Sequence, residues 1–323
     1  MGLTSGKPPA SSKGYGLYFK NHPGAREKVF LLSKTKSKDP ETMVRDLDKT
    51  LETIGTSYID LFVIHAVDRI ECLDDQIRKV AERLKRGGKI RYFGFTTHSN
   101  MEQCLAGAAK LGWIDGIVTT YNYRLMHRNA MEQAVKSCAK AGIGLVAIKS
   151  QAAMAHPTAT VGVETDTSLA LAHRFMAKGF TLHQAKLKAI WENPLISSTF
   201  SMMPNTTILM ANAAAAMDRT ALSSGDMALL KTYANETLSC YCSGCAGICE
   251  SVAPNHIPIA KVMRYLMYYH SYNDYEKARS CYHRLPIGIR QGIAGADYSI
   301  AELECPNRLA IGDLLRRASH ELA

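Results

Sequence analysis

The 323-residue sequence contains no long hydrophobic run and no leader-like segment. A membrane-spanning helix needs about 18 consecutive apolar residues, and every apolar run in this chain is shorter. The first twenty residues, MGLTSGKPPASSKGYGLYFK, lack the apolar core that a secretory signal carries. These absences predict a chain that is not embedded in a membrane. They favour a cytoplasmic location and leave open an export signal upstream of Met1.

Blocks of one charge sign are also absent, although the formal net charge is +10. Lysine and arginine are interspersed with acids in stretches such as 74–86 (DDQIRKVAERLKR). Such mixing is typical of a solvated helix face. The sequence therefore argues against nucleic acid as a partner, and the excess positive charge favours an anionic cofactor.

Six short apolar runs alternate with amphipathic segments between residues 28 and 200. Their apolar residues are consecutive, as expected of strands buried on both faces of a parallel sheet. Between them, apolar residues recur at helical spacing and glycines such as Gly55 end the helices. Repeated strand–helix units predict an α/β fold, either a barrel or a doubly wound sheet. The predicted strands are 28–34, 59–65, 89–96, 116–121, 144–149 and 194–200.

The alternation of strands and helices stops at about residue 206. Beyond it the sequence predicts no further strand, and helices are predicted over 206–217, 224–237 and 257–269. Six of the nine cysteines lie in this part of the chain, from Cys240 onward. We expect a boundary near residue 220, with domains 1–220 and 221–323. A metal would help to stabilise so small a C-terminal domain.

Two motifs carry a resemblance to a known family. In 47–65 (LDKTLETIGTSYIDLFVIH) a helix leads into a Tyr-Ile-Asp-Leu strand that ends in His65, and 87–99 (GGKIRYFGFTTHS) supplies the next strand. In this order they resemble the signatures of the aldo/keto reductases, over roughly residues 11–217. The resemblance implies an eight-stranded (β/α) TIM barrel. It also implies hydride exchange between NADP(H) and a small-molecule carbonyl or alcohol substrate, at the carboxyl ends of the strands.

The resemblance assigns two catalytic positions. Lys34 matches the lysine that tunes the family's proton donor, and His65 matches the histidine that orients the substrate oxygen. Both residues terminate apolar strands, where a polar group emerges at a barrel mouth. Without the resemblance, a lysine at a strand end more often has no catalytic role: its aliphatic stem packs on apolar surface and its ammonium reaches water.

Four further residues are expected to bind the cofactor. Thr96 and Thr97 occupy the family's Ser-Asn positions, which hold the nicotinamide carboxamide. Lys149 ends the fifth predicted strand, and Asn205 opens a helix whose backbone N–H groups could meet a phosphate. The glutamine that the family places on the next strand is Val118 here.

The family's Asp and its proton-donating Tyr have no match in this chain. Residues 1–9 contain neither, and Tyr15 fits a helix over 12–19 better than it fits the acid. The first two barrel strands also have no candidate. We expect the recorded start to lie downstream of the real one; a degenerate homologue and a partner that completes the barrel are the alternatives.

The cysteines form a second motif. Cys242, Cys245 and Cys249 give a C-x2-C-x3-C pattern, and Cys305, followed by proline, lies far downstream. Ferredoxin-like clusters use closely spaced thiolates with one remote cysteine, often before proline. The chain resembles aldo/keto reductases with a C-terminal ferredoxin-like extension, which implies a 4Fe–4S cluster on these four cysteines.

Two segments of the tail also resemble each other. Residues 254–260 (PNHIPIA) and 306–312 (PNRLAIG) suggest a decayed duplication. For the cysteine site, zinc and a set of unmetallated thiols are the alternatives. Cys240 and Cys281 are spare candidates that the motif does not require.

Three hypotheses follow for the function. The first is an NAD(P)H-linked oxidoreductase with an associated 4Fe–4S cluster. The second is a catalytically inactive fragment whose cysteines form a structural metal site. The third is an electron-transfer module with the barrel as scaffold. The first and the third each call for a redox partner protein.

Overall fold

The computed structural model describes residues 10–153 and 166–323. The strands in this part of the chain are β1 Leu32–Thr35, β2 Ile59–Ile64, β3 Ile90–Thr97, β4 Gly116–Thr120, β5 Gly144–Ile148 and β6 Ser198–Thr199. The helices are α1 Ala10–Asn21, α2 Pro40–Ile54, α3 Asp75–Arg86, α4 Met101–Leu111, α5 Asn129–Lys140, α6 Asp166–Met176, α7 Leu182–Trp191, α8 Thr206–Met217, α9 Ser224–Glu236, α10 Ala246–Val252, α11 Ile259–His270, α12 Tyr275–His283, α13 Ile287–Ile293, α14 Ser299–Leu303 and α15 Ile311–Glu321.

The strands follow one another in chain order within a six-stranded sheet. Neighbouring strands from β1 to β4 pair in parallel, and helices connect them. The predicted α/β fold with six strands is therefore confirmed.

Backbone contacts divide the chain into two compact units. Of the described residues, the first unit contains 10–119 and 133–146, and the second contains 120–132, 147–153 and 166–323. The predicted boundary at residue 220 lies inside the second unit, so the division 1–220 and 221–323 stays a prediction. No helix in either described range is both long enough and apolar enough to cross a membrane.

The bounds of α2 follow from local sequence signals. The Asp39 side chain accepts a hydrogen bond from the Thr42 N–H at 2.8 Å, and Pro40 occupies the first turn. Gly55 ends the helix with φ +71°, a left-handed conformation that glycine adopts without strain. The apolar stripe that predicted this helix is buried (Met43, Leu47, Leu51, Ile54).

The first strand is shorter than the sequence predicts. It was expected over 28–34 but begins at Leu32. The strand starts late because the Leu31 N–H does not pair with a neighbouring strand. It donates instead to the buried Asp60 carboxylate at 2.8 Å. The Arg26 guanidinium donates to the same carboxylate at 2.8 Å and holds the preceding turn.

The last strand is also shorter than the predicted 194–200, because a turn replaces its first half. The Leu195 N–H donates to the Asn193 side-chain oxygen at 3.0 Å, and the Ile196 N–H donates to the Asn193 carbonyl at 3.1 Å. Only Ser198–Thr199 pairs as β6.

The tail is helical, as predicted. The structure places no strand after Thr199 in its described residues, and the helix expected over 206–217 has those bounds. Within the second unit, α10 packs on α14 and α11 packs on α12 and α15. These helices share one apolar core, whose fully buried members include Ile257, Val262, Leu266, Ala278, Ile293, Leu315, Ala318 and Leu322.

Asp226 is a buried charge that stabilises the second unit. Its carboxylate accepts hydrogen bonds from the Arg174 guanidinium and the Lys178 ammonium. The Ser223 N–H and hydroxyl donate to it at 2.7 and 2.8 Å and complete the cap of α9. Burial favours the neutral acid, but the bonds from Lys178, Arg174 and Ser223 outweigh it and hold the Asp226 pKa well below its usual value.

We expect Asp226→Asn to lower the free energy of unfolding by about 2 kcal/mol at pH 7, because charge-assisted hydrogen bonds to a buried group are lost. The folded-state pKa of Asp226 lies below its unfolded value of about 3.9. Its contribution is therefore complete above that value and is lost as the pH falls below it. Urea unfolding at pH 7 and pH 3.5 should show the difference between the two proteins shrinking at the lower pH.

The matched control is Asp313→Asn, because Asp313 is 78% exposed and pairs with an exposed Arg316. We expect almost no change in stability from it. Equal effects of the two substitutions at pH 7 would contradict the role of Asp226.

Candidate active site and cysteine site

The strand register places three predicted site residues on one face of the sheet. Lys34 lies opposite Val63, and Val63 lies opposite Gly94. Paired residues share a face, and every second residue along a strand returns to it. Lys34, His65 and Thr96 therefore occupy the same face, toward the carboxyl ends of β1, β2 and β3. This is the edge where a barrel of this kind carries its chemistry.

Thr96 fixes the segment that follows β2. Its hydroxyl lies 2.9 Å from His65 Nδ1 and accepts the Ala66 N–H at 2.8 Å. Its carbonyl accepts the Val67 N–H at 2.8 Å. Ala66 has φ +60°, which turns the chain sharply at the edge of the sheet. The His65 ring is thus held against β3, and the His98 ring stands edge-on to it at 5.5 Å.

Thr97 lies on the opposite face of β3. Its hydroxyl donates to the Ser99 carbonyl at 2.9 Å, and the side chain is fully buried. The hydroxyls of both threonines are therefore bonded within the protein. Nothing in these contacts tests the prediction that Thr96 and Thr97 hold the nicotinamide.

Lys149 and Asn205 belong to the second unit. Lys149 follows β5 with φ +59°, and its ammonium lies 4.9 Å from the Tyr268 ring and 4.8 Å from the Tyr272 ring. These are cation–π contacts with α11 and the turn after it. Asn205 caps α8, because its side chain accepts the Ile208 N–H at 2.9 Å. Their cofactor roles stay predictions.

Three of the four predicted cysteine ligands share one core of the second unit, and the fourth, Cys245, lies near enough to raise the pKa of Cys242 and of Cys249. Cys249 and Cys305 belong to its buried core, and Cys242 packs against that core. Burial is the main reason that the pKa of Cys242 rises to about 12; a Gly244 backbone N–H opposes this rise, and the Cys245 and Cys305 thiols add to it. The pKa of Cys249 is raised by burial and by the other three thiols.

Asn307 fixes Cys305 beside the local cysteines. Its side-chain amide donates to the Tyr241 carbonyl at 2.5 Å and to the Ser243 hydroxyl at 2.9 Å. Tyr241 and Ser243 flank Cys242, and Asn307 lies two residues after Cys305. The remote and local halves of the cysteine pattern are therefore joined by a buried side chain.

The proposed duplication has a counterpart in the hydrogen bonds. Glu250 on α10 accepts the Ala260 N–H at 2.9 Å, and Glu302 on α14 accepts the Gly312 N–H at 2.7 Å. In each case the carboxylate reaches ten residues along the chain to the start of the next helix. The two helix–turn–helix segments are thus built alike.

No group of three or more His, Cys, Asp or Glu side chains in residues 10–153 and 166–323 is placed to hold a metal ion. A zinc ion binds sulfur at about 2.3 Å, so its four ligands must converge closely. A 4Fe–4S cluster attaches each thiolate to a different iron and spaces its ligands more widely. The finding supports neither zinc nor the 4Fe–4S cluster on these cysteines, and the four cluster ligands stay a prediction.

Other sequence interpretations can be placed as well. Tyr15 lies on α1, as the helix prediction has it, and is 45% exposed. Cys104 and Cys138 are buried core residues, whereas Cys72 is only partly buried. The roles of Asn307 and of the Thr96–His65 contact were missed. For Asn307, the only signal in the sequence was the Pro-Asn pair that the two repeats share.

These features define an α/β fold of the barrel type with a polar site at its strand ends. The family model for the aldo/keto reductase family matches residues 9–168. Over these residues, just under half of the chain, the sequence matches that family.

The chain is 29% identical over 104 residues to an aldo-keto reductase of Fusarium vanettenii and 32% identical over 103 residues to a glyoxal reductase of Bacillus subtilis. These segments are 31% and 30% of this chain, and they span only 27% and 36% of those relatives. An aldo/keto reductase of Klebsiella pneumoniae, solved with NADP and acetate, superposes with a TM-score of 0.54 at 19% identity. That match covers 69% of this chain and 75% of the other, and it shows the fold alone.

Proposed function

We propose that the chain is an oxidoreductase that exchanges a hydride between NAD(P)H and a carbonyl or alcohol substrate. The observation that carries the proposal is the placement of Lys34 and His65 on one face at the ends of neighbouring strands. The match to the family supports it, because that edge is where such barrels carry their chemistry.

His65 is proposed to orient the substrate by donating a hydrogen bond to its carbonyl oxygen. Lys34 is proposed to stabilise the negative charge that develops on the same oxygen during reduction. When bound, the nicotinamide would supply the hydride to the carbonyl carbon, and the alkoxide so formed would take its proton from solvent water, because the family's proton-donating Tyr has no match in this chain. The residues predicted to bind it are engaged in protein contacts in this structure, so NADP(H) rests on the family and on the Klebsiella relative solved with NADP.

The test is the consumption of NADPH, followed at 340 nm, with glyoxal as the first substrate. Glyoxal is chosen because the Bacillus subtilis relative is a glyoxal reductase. We expect turnover that saturates with both reactants, and a panel of aldehydes then defines the preference. NADPH that neither binds nor is consumed with any carbonyl in the panel would overturn the proposal.

We further propose that Cys242, Cys245, Cys249 and Cys305 hold a 4Fe–4S cluster. The supporting observation is that the remote Cys305 lies in the same core as Cys249, with Cys242 packed against that core, and that Asn307 bonds to both neighbours of Cys242. Soft thiols suit an iron–sulfur cluster; here Cys249 and Cys305 are buried and Cys242 and Cys245 are partly buried. When bound, the cluster would exchange single electrons with a redox partner protein.

Protein purified under anaerobic conditions tests this second proposal. We expect absorbance near ~400 nm and about four irons per chain. Colourless protein with one zinc per chain would instead support a structural metal site in a catalytically inactive fragment. Protein that is folded and free of both metals would support the unmetallated alternative.

A further inference from the structure

We propose that Thr96 is a positioning residue that fixes His65 as the tautomer carrying its proton on Nε2. This inference rests on the proposed function, in which His65 donates a hydrogen bond to the substrate oxygen. It gives Thr96 a role different from the nicotinamide contact that the family resemblance implies.

The Thr96 hydroxyl takes part in two hydrogen bonds. A threonine hydroxyl has one proton to donate and two lone pairs that accept. One lone pair accepts the Ala66 N–H at 2.8 Å. The other contact is His65 Nδ1 at 2.9 Å, and within the described residues Thr96 Oγ1 has no third partner.

The hydroxyl proton therefore has one acceptor, the Nδ1 atom of His65. Thr96 is 4% exposed, so an undonated hydroxyl proton would be buried at a cost of about 1–3 kcal/mol. Donation to Nδ1 requires that nitrogen to be unprotonated, which places the proton of a neutral imidazole on Nε2. In this tautomer Nε2 carries the proton that the proposed function directs to the carbonyl oxygen of the substrate.

The same contacts limit what Thr96 can do for a cofactor. The hydroxyl donates its proton to His65 Nδ1 and accepts the Ala66 N–H with one lone pair. The hydroxyl could then donate nothing to a carboxamide oxygen without releasing His65. Substitution of Thr96 should consequently change turnover rather than cofactor affinity.

The tautomer can be measured directly by nitrogen-15 NMR of histidine-labelled protein at pH 8, with no cofactor or substrate. The chain has 11 histidines, and His65→Gln identifies the His65 signals. We expect the Nε2–H pattern for His65 in the wild-type protein and in Thr96→Ser, which keeps the hydroxyl. Thr96→Val should change the pattern toward a mixture of tautomers. An Nδ1–H pattern in the wild-type protein would overturn the inference, whether or not Thr96→Val folds.

Steady-state kinetics separates this role from a merely structural one. We expect Thr96→Val to lower kcat at least about tenfold with little change in the KM for NADPH, and Thr96→Ser to recover most of the rate. A raised KM for NADPH with unchanged kcat would assign Thr96 to the nicotinamide and overturn the inference. If the wild-type protein reduces no carbonyl, the proposed function fails, and the NMR result still decides the tautomer.

Discussion

Replacing Cys305 by serine is expected to reduce the iron content from about four atoms per chain to well below one. Cys305 is the only proposed ligand outside the 242–249 segment, and its thiol lies in the same buried core as Cys249. Three thiolates leave one iron of the cluster without a protein ligand and open to loss. The measurement is iron and acid-labile sulfide per chain after anaerobic purification.

Cys281→Ser is the matched control. Cys281 lies on α12 in the same unit, is partly buried, and accepts a hydrogen bond from the Arg284 guanidinium at 2.8 Å. It is outside the proposed ligand set, so its replacement should leave the iron content unchanged. Cys305→Ala accompanies the serine variant, because a buried hydroxyl can itself destabilise the core. Full iron retention in both Cys305 variants would contradict the proposed ligand set, as would loss of iron in Cys281→Ser.

The second large effect is expected at the strand ends. His65→Gln and Lys34→Met should each lower kcat/KM by about 10²- to 10⁴-fold, the range found when a group that acts on a proton or a developing charge is removed. Both residues occupy the face defined by the register of β1 and β2. NADPH consumption with the best carbonyl substrate measures the loss.

Lys36→Met serves as the control for charge. Lys36 is exposed and lies just beyond β1, two residues from Lys34. Lys36→Met removes one positive charge, as Lys34→Met does, and we expect activity within about twofold of wild type, because Lys36 is an exposed residue outside the proposed catalytic set. Equal losses in Lys34→Met and Lys36→Met would show that net charge, and not the position of Lys34, supports the reaction.

Much of the architecture was predictable because the buried strands are continuous apolar runs. β2 and β3 were expected within a residue or two of their observed bounds. All of β2 and residues 93–97 of β3 are buried, and glycines end the helices α2 and α3 that precede these strands. The ends of β1 and β6 were not predictable. At β1 the Asp60 carboxylate takes a backbone N–H, and at β6 Asn193 forms a turn; both are contacts that a hydrophobicity pattern does not encode.

The candidate site residues were chosen by residue type and their roles stay predictions; the contacts between them could not be predicted from the sequence. Motif spacing selected His65 and the four cysteines, because their chemistry depends on residue identity. The contact between Thr96 and His65 depends on strand register, which brings residues 31 positions apart to 2.9 Å. The Asn307 contacts depend in the same way on the pairing of α10 with α14.

We propose that this chain transfers a hydride from a nicotinamide to a carbonyl carbon at the Lys34–His65 face. The most direct test is mass spectrometry of the alcohol formed from glyoxal, or from the best aldehyde, with NADPH deuterated at the transferred C4 position. We predict one deuterium on the reduced carbon with wild-type protein, and a strongly reduced yield with His65→Gln. An alcohol without deuterium, or no alcohol above the protein-free control, would contradict the claim.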